Sequence, residues 1–214
     1  MNQPFKLLLI GDSDSQLLAC EALCRFPSER NVQVTINAIP REGTPEAILT
    51  RAAALGELWR LDMGQLLTHH KLRQFDAIGV YLTGSKISDF RLALGLLPSN
   101  ERPLLFCGFN GVVLEKFVEG VSWRLGYDLI GLSGPRDRDA LERMLEGTPF
   151  ADQRAVLTGL HRNTAPDQHP KGRDQRRKQL IFAEQVVMPS TAVDRAEMVG
   201  SWRIWPDALR TGRC

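Results

Sequence analysis

The chain has 214 residues, of which 43% are hydrophobic and 24% charged, and its formal net charge is +2. That length suits one full core with the beginning of a second domain, and so even a charge balance argues against a polyanion binder or an acidic solvating tail. No run approaches the roughly 18 consecutive apolar residues needed to span a bilayer. Met1-Asn2-Gln3-Pro4 leads straight into an apolar segment without a basic or cleavable leader, so a cytoplasmic protein is expected.

Apolar segments and helical patterns alternate along the first 160 residues. Phe5–Ile10 reads as a strand, and Ser15–Phe26 as a helix capped by Ser13 or Asp14. Val32–Ile39 is a second strand. Thr44-Pro45-Glu46 then opens a helix, with a hydroxyl cap and proline at the first helical position. His69 and His70 fall on a helical stretch, where neighbours point about 100° apart and do not serve one site. Asp76–Leu82 is a buried strand, followed by a helix from Ser88 to Leu97. Next come a strand at Pro103–Cys107, a helix at Val112–Leu125 and a strand at Tyr127–Leu132. The helix Arg136–Leu145 and a short strand at Ala155–Leu160 close the series. Strands separated by helices imply a parallel sheet with right-handed crossovers, so residues 1–160 are expected to form a Rossmann-like α/β domain.

Beyond residue 160 the composition changes. Residues 161–178 are polar and basic and read as a linker. Their cluster of Lys171, Arg173, Arg176, Arg177 and Lys178 lacks the interleaved aromatics of a single-stranded nucleic-acid platform, so no nucleic-acid partner is expected. Gln179–Ala183 and Ala192–Val199 read as the first strand and helix of a second α/β domain spanning 179–214. Some fifteen further residues cannot complete such a domain, which suggests truncation. The apolar face of 179–199 is expected to pack back on the first domain or to drive self-association.

The four cysteines fit neither a disulfide framework nor a metal centre. Cys20 and Cys24 lie one helical turn apart, Cys107 ends a strand, Cys214 is terminal, and none has a histidine at ligand spacing. Buried, reduced thiols are expected, and no metal.

Gly11-Asp12-Ser13-Asp14-Ser15 follows the first strand directly, where an open α/β sheet builds its sites. Asp12 and Asp14 would repel a pyrophosphate at that helix N-terminus. The turn therefore suits sugar hydroxyls or a cation, with Asp12 and Asp14 as candidate bases and Gly11, Ser13 and Ser15 as ligand contacts. Either acid also fits as a helix cap. Gly84 and Ser85, and Gly108, Asn110 and Gly111, end later strands and are expected to line the same cleft, or only to permit tight turns. Glu184 holds the equivalent place in the second domain. Trp123 and Arg124 anchor a helix by packing, although Arg124 could reach an anionic ligand.

Two resemblances follow from these motifs. Gly11-Asp12-Ser13, Gly108-Phe109-Asn110 and Asp167-Gln168-His169-Pro170 resemble the blocks of SGNH, or GDSL-type, ester hydrolases, with Ser13 as nucleophile. That family separates its late acid and histidine by two residues, however, and here there is one.

The other covers nearly the whole chain. Leu8 to Gln16, Ile39 to Pro45, Trp123 to Ile130 and Lys178 to Gln185, followed by Pro189-Ser190 and Asp194-Arg195, resemble a bacterial family of glycosyltransferase-like proteins of unknown specificity. This resemblance implies a GT-B architecture of two Rossmann-like domains, an acceptor site on the first and most of a nucleotide-sugar site on the second. By analogy it implies a role in surface or extracellular polysaccharide synthesis. The nucleotide-sugar would be a substrate, and no cofactor is implied. A non-catalytic Rossmann-like module that binds a glycan or a partner is the further alternative.

Overall fold

The structure, a computed structural model, describes residues 3–159 apart from 25–30, 43, 99 and 112–115. The linker, the second-domain elements and Glu184 lie outside the described residues.

Among the described residues seven parallel strands form one sheet: β1 (Phe5–Gly11), β2 (Val32–Ala38), β3 (Glu57–Trp59), β4 (Ala77–Tyr81), β5 (Leu104–Gly108), β6 (Leu129–Leu132) and β7 (Ala155–Leu157). Their order is β3-β2-β1-β4-β5-β6-β7. The expected Rossmann-like α/β fold is therefore present. The chain winds outward from β1 to β3, then returns to β4 on the other side of β1. The β1–β4 boundary is thus the topological switch point, and the crevice outside its carboxyl ends is where such sheets bind ligands.

Among the described residues six α-helices flank the sheet: α1 (Asp14–Cys24), α2 (Glu46–Ala53), α3 (Met63–Leu67), α4 (Lys86–Gly95), α5 (Phe117–Ser122) and α6 (Pro135–Leu145). Strand alternation divides the core in two. Leu7 and Leu9 pack with Leu17, Cys20, Leu49 and Ala52 of α1 and α2. Leu8 and Ile10 face the other way, into a larger cluster with Ile87 and Phe90 of α4, Val121 of α5 and Leu141 and Leu145 of α6. β4 is buried along its whole length, as its unbroken apolar run requires at the centre of a doubly covered sheet.

Several boundaries differ from expectation. Helix α2 starts at Glu46, with Pro45 in the cap position in extended backbone (ψ 134°) and no side-chain cap bond. Thr44 therefore sits one residue too early to cap it. Helix α4 begins at Lys86, ahead of Ser88, and α5 begins only after Lys116, whose left-handed backbone (φ 55°) breaks the longer helix expected there.

Residues 57–74 hold three elements that were not anticipated: β3, α3 and a 3₁₀ turn at Leu72–Gln74. His69 and His70 lie beyond the end of α3 rather than on a helix, and their rings stack with centroids 4.8 Å apart. The 100° separation presumed a helical backbone and does not apply.

Candidate active site

Tight packing sets the start of the site. A Cβ on Gly11 would lie 3.0 Å from Leu17 Cδ2, so glycine lets α1 close onto the end of β1. The Ser13 carbonyl accepts from Gln16 N and Leu17 N at 3.1 and 2.9 Å and begins the helix. Asp14 stands exposed in its first turn, where the helix dipole favours a carboxylate.

Asp12 behaves differently. It is only 5% exposed, and it reaches across the switch point instead of capping α1. Its Oδ1 accepts from Thr83 N (3.1 Å) and Thr83 Oγ1 (2.8 Å). Its Oδ2 pairs with Lys86 Nζ at 3.0 Å. The buried Gln16 completes the ring, since its Oε1 accepts from Asp12 N (3.1 Å) and its Nε2 donates to Thr83 Oγ1 (3.0 Å). The Thr83 hydroxyl thus donates once and accepts once, and the network ties the ends of β1 and β4 together.

The loop after β5 joins from the other side. Asn110 Nδ2 donates to Ser15 Oγ at 2.8 Å, and Ser13 Oγ lies 3.4 Å from Ser15 Oγ. Arg124 supports that loop from below. It is buried, donates to the carbonyls of Gly108 (3.2 Å) and Gly120 (2.6 Å), and lies 4.0 Å over the Phe109 ring. Burial pushes its pKa down from the ordinary guanidinium value. These contacts fit the packing role expected of it. The Gly111 carbonyl accepts from Ser133 Oγ at 3.1 Å, which links the β6 end to the same rim.

An open cleft of ≈330 Å³ lies beside this network, lined by Ser13, Asp14, Ser15, Arg41, Glu42 and Thr44. The structure therefore brings Ser13, Asp14, Ser15 and Asn110 together at the carboxyl edge of the sheet. Gly84 sits in a left-handed turn (φ +60°) with open space where a Cβ would go, and Ser85 is exposed beside it. Both lie at the α4 start near Lys86, away from the cleft lining. Gly108 is buried, and a Cβ there would meet Tyr81 Oη at 3.0 Å.

Thr83, Lys86 and Gln16 were missed as site residues, as were the cleft positions Arg41, Glu42 and Thr44. No local motif marks the first three, because their partners lie more than 60 residues apart, except for the Asp12–Gln16 pair within one helical turn. Arg41 has no ion-pair partner among the described residues.

A hydrolase would need a base beside Ser13. Its described hydroxyl neighbour is Ser15, and Asp167 and His169 lie outside the described residues. No cluster of three metal-ligating side chains occurs among the described residues, and none of their helices is long and apolar enough to cross a membrane.

Comparison with known proteins adds the family. No curated protein matches the chain. Residues 7–204 match the family described as "Putative glycosyltransferase (DUF6716)". With nearly its whole length inside that match, the chain belongs to this glycosyltransferase-like family.

Proposed function

We propose that the protein is a nucleotide-sugar-dependent glycosyltransferase whose described domain binds the acceptor. The convergence of Asp14, Ser13, Ser15 and Arg41 on one open cleft at the carboxyl edge of the sheet carries this reading. Hydroxyls, two carboxylates and a guanidinium at such an edge suit a polyhydroxylated acceptor. On this reading Asp14 is the base. Its exposed carboxylate takes the acceptor hydroxyl proton as that oxygen bonds the donor's anomeric carbon. The bond from that carbon to the diphosphate breaks, and the diphosphate leaves with the electron pair.

Asp12 serves this site by position. Its oxygens are already engaged by Thr83 and Lys86, so it holds the β1 and β4 ends in register instead of exchanging a proton. The donor nucleotide-sugar belongs, on this proposal, to the second half of a GT-B architecture, with Glu184 as a candidate contact for it. The setting we assign is cytoplasmic assembly of a bacterial surface or extracellular polysaccharide. The family match and the polar chemistry of the cleft support sugar transfer; the pathway is an analogy.

The test is release of nucleoside diphosphate from a panel of nucleotide-sugars, with and without short oligosaccharide acceptors, for the wild type and Asp14→Asn. Acceptor-dependent release that falls at least 100-fold in Asp14→Asn supports the reading. Calorimetric binding of oligosaccharide without any release, or of nothing, favours a non-catalytic module.

A further inference from the structure

A second pocket lies on the opposite side of the sheet from α1 and α2, beneath the segment that returns from β3 to β4. Its volume is ≈170 Å³, well below the roughly 300 Å³ at which pockets for drug-sized ligands begin, so its occupant is small. Strand register builds its floor: Lys6 pairs with Gln33 one step below, and Thr35 pairs with Glu57. Thr35 is only 2% exposed, and its hydroxyl has no hydrogen-bond partner among the described residues. Thr35 is among the residues that line the pocket, on the strand face that also presents Lys6 and Gln33. A buried hydroxyl left to a pocket calls for a polar atom from the occupant.

The walls specify more. Trp59 and Phe75 meet edge to face with centroids 5.6 Å apart and give the pocket one aromatic side. Lys6 and Lys71 bring two ammonium groups, neither with an ion-pair partner among the described residues, against the single carboxylate of Glu57. The amides of Gln33 and Gln74 add both donors and acceptors. An aromatic wall accepts the apolar face of a ring, the amides and Thr35 accept hydroxyls, and the surplus of positive charge accepts one anion.

The geometry points to a second ligand site, separate from the candidate active site, for a single hydroxylated ring carrying one anionic group: a hexuronate or a hexose phosphate. Such a ligand fits the size, the hydroxyl-binding groups and the net positive charge together. A neutral hexose would leave the lysines unpaired, and a nucleotide would exceed the volume.

Calorimetric titration of the full chain with glucuronate, glucose 1-phosphate and glucose tests it. Saturable binding of at least one of the two acids is expected, with glucose at least tenfold weaker. Lys71→Ala, an exposed substitution outside the core, should weaken that binding tenfold or more, and Thr35→Val should weaken it while keeping the shape. Asp14→Asn, in the other cleft, should leave it unchanged. Absence of heat with all three compounds, equal affinity for glucose, or binding that survives Lys71→Ala would overturn the proposal. Because none of these readouts measures transfer, its failure would leave the transferase reading untouched.

Discussion

Lys86 Nζ stands 3.0 Å from Asp12 Oδ2, so the first turn of α4 is tied to the end of β1 across the switch point of the sheet. The two partners are unequal: the side chain of Asp12 is 4% exposed and that of Lys86 is 56% exposed. Deleting the carboxylate in Asp12→Ala removes the buried acceptor shared by the Thr83 amide, the Thr83 hydroxyl and Lys86, and about 1–3 kcal/mol of stability should go with it, since water can reach the exposed Thr83. Deleting the ammonium in Lys86→Ala lets water take the vacated place, with a loss of about 1 kcal/mol or less. Urea unfolding of the two variants measures both. Equal losses would mean that the contacts from Thr83 do not hold Asp12 in place.

Asp14 should show the reverse pattern. It is exposed and makes only a dipole contribution, so Asp14→Asn should shift the unfolding free energy by about 0.5 kcal/mol or less. Its effect should fall on turnover, by about 10²–10⁴-fold if it is the base. A variant with full turnover and lowered stability would make Asp14 a helix-terminus residue and nothing more.

The contrast between these two acids marks how far sequence reasoning reaches. The strand–helix alternation was legible because β1, β4 and β5 carry apolar runs and β2 alternates apolar and polar residues, and the polar turn after β1 stood out by position. The separate roles of Asp12 and Asp14 were not legible: two acids in one turn look alike until Thr83 and Lys86 arrive from over 70 residues away. Strand β3 escaped for another reason. Glu57-Leu58-Trp59 is three residues at a sheet edge, too short for any period, and it owes its place to pairing with Thr35, Ile36 and Asn37. The following helix did leave a local trace, since Asp62 and Gln65 form a capping box at the spacing that motif requires.

That edge pairing depends on Gly56. A Cβ there would lie 2.2 Å from the Val34 carbonyl oxygen, a backbone atom that cannot turn aside. Gly56→Ala should push β3 off β2 at a cost of about 1–3 kcal/mol. Gly84→Ala has open space around it and meets only the left-handed backbone, for about 1–2 kcal/mol. Hydrogen exchange separates the two mechanisms: amides of β2 and β3 should lose protection in the first variant and keep it in the second.

At the opposite end of the sheet, Arg102 grips Asp128 through two bonds of 2.6 and 2.7 Å, and Leu105 N donates to the same carboxylate at 2.7 Å. The Arg102 hydrogen bonds hold the Asp128 pKa below the usual carboxylate value. A carboxylate depressed in the folded state adds stability above its unfolded pKa of roughly 4 and loses it as pH falls through the folded value. The wild type should therefore exceed Asp128→Asn in stability at pH 6, and the gap should close as acid titrates the folded carboxylate. Unfolding free energies from pH 6 down to roughly pH 2 follow this directly. A gap that stays constant would assign the effect to geometry instead of charge.

The cysteines offer a readout of core integrity. Burial pushes the Cys107 thiol up to about 12 and Cys24 up to about 11, and raises the fully buried Cys20 further. Reaction needs the thiolate, so at pH 8 only a small fraction of each is competent, and access limits the buried pair again. Among these three, a disulfide reagent should modify Cys24 first, because it alone is partly exposed. Cys20 and Cys107 should react only when the sheet opens, at a rate that tracks unfolding. Mass spectrometry of partly labelled protein gives the order. Early labelling of Cys107 would mean that the β5 end opens locally, and with it the loop that carries Asn110 to Ser15.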